Sequence, residues 1–151
     1  MRYYDVTGST ATAVRAQMYQ LGPVDHGQHE DAYTAWYINW RWPPGPGGCD
    51  LADVTVSDTI TVTFPRWTPP AAASQALVAD WVRYTHALAT HEEGHVDFVV
   101  ATLPAVKQAI ESATCATADA AGNAVLDRIR QHDLAYDAAT DHGATQGARF
   151  P

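Results

Sequence analysis

Two hydrophobic periods divide this chain, and the switch between them constrains the fold more than any other feature. From Trp36 to Phe64 the apolar residues fall on every second position. Trp36, Ile38, Trp40 and Trp42 form one such set, opposite Tyr37, Asn39 and Arg41. Val54, Val56, Ile60, Val62 and Phe64 form another, opposite Thr55, Ser57, Thr59, Thr61 and Thr63. A strand with one face on a core needs this alternation, and antiparallel sheets show it most cleanly. From Leu77 onward the step lengthens to three and four, through Trp81, Tyr84, Leu88, Phe98 and Val99, as an amphipathic helix requires. Strands first and helices second predict an α+β fold: a small antiparallel sheet packed on long C-terminal helices.

The boundaries follow from local signals. Tyr3 to Val6 reads as a short strand. Ser9 caps a helix through Gln20 that carries Val14, Met18 and Leu21 on its inner side, and Gly22-Pro23 stops it. Val24 to Asp31 reads as a polar loop holding His26 and His29. Pro65 ends the second alternating run. A helix is expected from Ala73 to about Thr114, with Pro104 kinking it or starting a second one. A last helix is expected from about Ala118 to Asp141, with Val125, Ile129 and Tyr136 inward and Gly143 near its C-cap. No repeat or long linker interrupts residues 1–151, which suits one domain of 16.3 kDa.

A net charge of −8, with Lys107 the only lysine, argues against nucleic acid and anionic membrane surfaces, which need clustered basic residues. No apolar run of about 18 residues exists to insert into a membrane. Nor does a charged segment followed by an apolar stretch open the chain, so export would need a leader beyond this sequence. Cys49 and Cys115 both fall in loops. A disulfide joining them would stabilise the fold by about 4 kcal/mol in the chain-entropy model; two unpaired thiols are the plainer alternative. Oligomeric state is not legible.

The chemistry is concentrated at His91-Glu92-Glu93-Gly94-His95. On a helix, imidazoles four residues apart project from one face and can hold one zinc ion in adjacent positions. Glu92, beside the first ligand, can take a proton from a water whose pKa the ion lowers towards about 7. Composition alone would produce such a motif in about one chain in a hundred. Its position within an inward apolar stripe further weakens the reading of two chance histidines, because buried polar groups need partners.

A catalytic zinc needs a third protein ligand. Phe98 stands where the extended metzincin pattern has glycine, so that continuation fails. If the two long helices form an antiparallel hairpin turning between Thr114 and Asp119, equal counting places Ala138 opposite His95 and His142 opposite His91. The segment Tyr136 to His142 is therefore expected beside the ion. Within it His142 is the preferred third ligand, Asp137 the next and Asp141 the last; Asp137 could instead orient a ligand imidazole. Tyr136 is a candidate donor to a developing oxyanion, or simply a core aromatic. His86 and His132 lie off the ligand face. The threonine face of residues 55–63 is either solvated or an edge to which an extended peptide could add.

With these residues placed, the chain resembles a bacterial family known as domain of unknown function 922, described as predicted secreted zinc-dependent proteases. The matching stretches are Tyr4-Asp5-Val6-Thr7-Gly8, Ala32-Tyr33-Thr34-Ala35-Trp36-Tyr37, Phe64-Pro65-Arg66-Trp67, the His91–His95 motif, and Tyr136-Asp137-Ala138-Ala139-Thr140-Asp141-His142-Gly143 with Gln146-Gly147-Ala148. Pro104 departs from the family's pattern. The resemblance implies a secreted or periplasmic zinc hydrolase carrying His91, Glu92 and His95, with a zincin-like helix and a tail residue as third ligand. The expected function is hydrolysis of a peptide or protein substrate. Two alternatives share the residues: an amidase acting on cell-wall peptides, and a non-catalytic zinc or protein-binding module whose fourth position is closed by Glu93, Asp97 or Asp141.

Overall fold

Helix α1, Ala11–Leu21, starts one residue later than the serine cap predicts. Thr10 is the cap, its Oγ1 accepting from Ala13 N at 3.3 Å, and the Gly22 N–H closes the other end on Met18 O at 2.8 Å. Val14 and Met18 are buried as expected, but Leu21, in the last turn, is 45% exposed. The computed structural model describes residues 1–25 and 27–151; His26 lies outside them. The predicted polar loop after α1 contains a small antiparallel hairpin, β2 (Val24–Asp25) with β3 (Gln28–His29).

The main sheet has three strands: β1 (Arg2–Val6), β4 (Tyr33–Arg41) and β5 (Thr55–Trp67), in the order β1-β5-β4. The fold is α+β, but the sheet is not antiparallel throughout. β1 runs parallel to β5, pairing Arg2 with Thr63 and Val6 with Trp67. A long crossover containing α1 and β4 separates these strands in sequence, which leaves a parallel pairing open to them. Pro65 does not end β5; it sits in register with Tyr4. A residue has a single N–H, so its loss removes at most one ladder bond, and the pairing flanking Pro65 carries the strand on. β1 covers only Thr63–Trp67 of β5, and Thr55, Ser57 and Thr59 on the threonine face are exposed.

Helix α2 runs unbroken over Gln75–Glu111, with Ser74 Oγ accepting from Leu77 N at 3.2 Å. Pro104 lies inside it. The carbonyl that loses its donor belongs to Val100, an exposed position where water can replace the bond. Helix α3 covers Ala118–Thr140, and a 3-10 turn covers Ala144–Gln146. Among the described residues no helix is long and apolar enough to cross a membrane.

The chain forms two compact units, each with its own core. The first comprises Met1–Ala35, Thr61–Gly94 and Asp137–Pro151. Its centre is aromatic: Trp67, Trp81, Tyr84 and Phe150 stack edge-on or tilted with centroids 5.3–5.9 Å apart. The second comprises Trp36–Ile60 and His95–Tyr136 and is mainly aliphatic, with Val99, Val106, Ile110, Val125 and Ile129 almost fully buried beneath Ile38 and Val54. Gly122 is needed there, since a Cβ would come within 2.8 Å of the Trp40 ring. Cys49 and Cys115 are joined by a disulfide with Cα atoms 5.8 Å apart, as their loop positions allow.

Candidate metal centre

His91 and His95 sit one turn apart on α2, buried to 3% and 7% exposure, with Glu92 at 4% beside them. Imidazoles at this depth need partners, and the structure supplies one for each Nδ1. His91 Nδ1 lies 3.0 Å from Gln146 Oε1, and His95 Nδ1 lies 3.0 Å from Asp133 Oδ1. Both partners only accept, so each Nδ1 carries the hydrogen and each Nε2 presents a lone pair. Asp133 is itself held by the Trp36 indole, which donates to Oδ2 at 2.8 Å. Thr34 donates to Glu92 Oε2 at 2.6 Å, which orients the carboxylate.

His91 Nε2 faces Asp137 Oδ1 at 3.1 Å. With the hydrogen on Nδ1, this places a lone pair against a carboxylate oxygen, and only a cation shared by the two, whether a proton or a metal ion, makes the contact favourable. The separation is close to the edge of about 3.3 Å expected of a tetrahedron whose zinc–ligand bonds are about 2.0–2.1 Å long. One ligand atom each from His91, His95 and Asp137 fall within 4.8 Å of one another, a grouping that could hold a metal ion. The donor set, two imidazoles and a carboxylate, suits a divalent transition metal.

His142, the preferred third ligand from the sequence, is not in this grouping. Its side chain is 61% exposed, and its Nδ1 lies 3.8 Å from Glu30 Oε2. Asp141 is also turned outward, 3.7 Å from Arg149. The reason is local. Helix α3 ends at Thr140, and Asp141, His142 and Gly143 all take positive φ, at 51°, 48° and 80°, so the chain reverses before these side chains can follow the helix face. Gly143 is required at the reversal: its φ is left-handed, and a Cβ would stand 2.9 Å from His91 Cγ. The turn thereby brings Gln146 back to His91.

The hairpin count explains the offset. Counted from the observed helix ends, Glu111 and Ala118, the positions opposite His95 and His91 become Leu134 and Ala138, one residue from Asp133 and Asp137. Sequence reasoning missed Asp133, Gln146 and Thr34. Asp133 was within reach of it, lying one turn before Asp137 as His91 lies one turn before His95; Thr34 and Gln146 fall in stretches that carry the family resemblance, but neither spacing nor residue type assigns them this role.

The remaining candidates are dispersed. Tyr136 is half-buried with its ring edge-on to His95, centroids 5.0 Å apart. His132 stacks on Phe98 at 3.4 Å, and His86 and His29 are exposed. Glu93 and Asp97 are exposed on α2. No curated protein and no solved structure matches the chain significantly. A family model does, over residues 1–143, and the chain belongs to the family it describes, "Bacterial protein of unknown function (DUF922)".

Proposed function

We propose that the chain is a zinc-dependent hydrolase of peptide bonds in which His91, His95 and Asp137 hold the ion and Glu92 acts as the general base. The observation that carries this reading is the three-donor grouping, in which both imidazoles are buried with their Nδ1 engaged and so present Nε2. Zinc supplies Lewis acidity and lowers the pKa of a water bound to it. The chain's own residues do the rest. Asp133 and Gln146 fix the imidazole tautomers and, by accepting from Nδ1, make Nε2 a better donor. Glu92, next to a ligand but outside the grouping, holds the transferred proton and returns it to the leaving amine; Thr34 keeps its carboxylate in one orientation. Tyr136, beside His95, is the candidate donor to the developing oxyanion. Three protein donors leave a tetrahedral ion one position for water, and the carboxylates that could have closed it, Glu93, Asp97 and Asp141, are exposed. The Cys49–Cys115 disulfide supports a secreted or periplasmic location, since such bonds persist in oxidising compartments.

The test combines metal analysis with turnover. Asp137→Ala should lower zinc affinity by orders of magnitude, whereas His142→Ala should retain near-normal zinc. The reverse pattern would restore His142 as the ligand. Glu92→Gln should keep zinc yet lose cleavage of unfolded casein, and unchanged turnover would remove Glu92 from the mechanism.

A further inference from the structure

β4 is an edge strand, and a groove of about 370 Å³ runs beside it. One wall is five consecutive residues, Trp36 to Trp40; the other is Asn123, Leu126 and Arg130 of α3. Consecutive strand residues point alternately to opposite faces. Such a wall takes in main chain of β4 as well as side chains, and β4 ends its sheet, so one of its edges has no strand neighbour among the described residues. That edge carries a row of backbone donors and acceptors, the template for an added strand. The groove's apolar surfaces come from Trp36, Trp40 and Leu126, with the Arg130 guanidinium 5.5 Å from the Trp36 ring centre. Trp36, in its wall, donates from Nε1 to Asp133, which also lies 3.0 Å from His95 Nδ1.

We infer that this groove binds an extended peptide segment, main chain paired to the edge of β4 and alternate side chains resting on Trp36, Trp40 and Leu126. The inference deepens the peptidase reading and rests on it for what then happens to the segment. Such a site selects by conformation more than by sequence, because main-chain bonds are common to all residues. It would favour unfolded or loop segments and reject proline where the added strand must donate.

The test reads binding, so it stands apart from cleavage. The full-length zinc-loaded Glu92→Gln protein is titrated with a fluorescein-labelled decapeptide pool, followed by anisotropy. A second pool carries N-methyl groups on every backbone amide. Binding should weaken about tenfold or more with N-methylation. Asn123→Trp, which fills the groove from an exposed position, should weaken the unmodified pool to a similar extent while zinc content and circular dichroism stay unchanged. No peptide binding, equal binding of all pools, or no effect of Asn123→Trp would overturn the proposal. So would two other occupants: a hexamer of N-acetylglucosamine binding in place of peptide, or a dimer of the chain that Asn123→Trp dissolves. A protein that binds the pool as described but never cleaves it in wild-type form would fail as a peptidase and leave the groove assignment standing.

Discussion

The two compact units are stabilised by different means. In the first, segments far apart in sequence meet at Asp31. Both of its carboxylate oxygens accept from Arg15 at 2.6–2.7 Å, the Tyr84 hydroxyl donates to Oδ2 at 2.6 Å, and the Tyr4 hydroxyl donates to the Asp31 carbonyl at 2.7 Å. Arg15 reaches on to the Phe150 carbonyl at 3.3 Å, tying down the C-terminal end. In the second unit the distant segments are joined covalently by Cys49–Cys115, and indole donors reach acidic residues: Trp36 to Asp133 and Trp40 to Asp119. One unit therefore depends on the ionisation of a few groups around a carboxylate. The other depends on the redox state of two sulfurs.

The largest expected effect comes from breaking the covalent side. The double variant Cys49→Ser/Cys115→Ser should lose about 4 kcal/mol of stability, measured by urea unfolding, with the loss reproduced by reducing the wild-type protein. If reductant leaves the midpoint unchanged, the second unit does not rely on its bridge and the contrast disappears.

Next in size is the polar side. Asp31→Ala leaves the fully buried Tyr84 hydroxyl and the half-buried Arg15 without their acceptor. Arg15 is about a third exposed and water can recover part of its loss, so we expect about 2–3 kcal/mol. A cost below about 0.5 kcal/mol would show that the aromatic core alone holds unit one.

The smallest effect is seen in alkali and sharpens the same comparison. Burial, and after it the Asp31 charge, push the Tyr84 phenol well above the usual tyrosine range; Tyr4 is raised by the same causes in the same order. A raised folded-state pKa means the native state keeps the proton. The stability tied to it is complete below the unfolded value of about 10 and is lost as pH climbs beyond it, by up to about 1.4 kcal/mol per pH unit for each phenol. Tyr84→Phe should therefore flatten the decline in stability above about pH 10 by roughly one proton's worth, read from unfolding midpoints across pH. An identical slope in the variant would place the alkaline sensitivity elsewhere.

How much of this was written in the sequence differs between fold and site. The alternation from Trp36 to Trp42 is observed directly, with Ile38 buried and Tyr37 and Asn39 exposed, because a strand's period of two survives any packing partner. The parallel pairing of β1 with β5 was not readable, since one strand's pattern holds no record of which neighbour it meets or in which direction. Pro104 misleads for a similar reason: local preference disfavours helix there, but packing on both sides of the residue outweighs one missing bond.

At the site, the sequence determined that His91 and His95 share a helical face, that Glu92 accompanies them and that the end of α3 approaches; these follow from the 3.6-residue period and helix length. The tertiary structure decided which residue arrives. A three-residue shift in one helix end and a one-residue shift in the other moved the counted positions from 138 and 142 to 134 and 138, each one residue from Asp133 and Asp137, so a carboxylate meets His91 where an imidazole had been expected. The left-handed reversal over Asp141–Gly143 then turned His142 outward and brought Gln146 in. Periodicity is a local property of the backbone, whereas the choice among side chains one turn apart is set by where helices stop and how they pack.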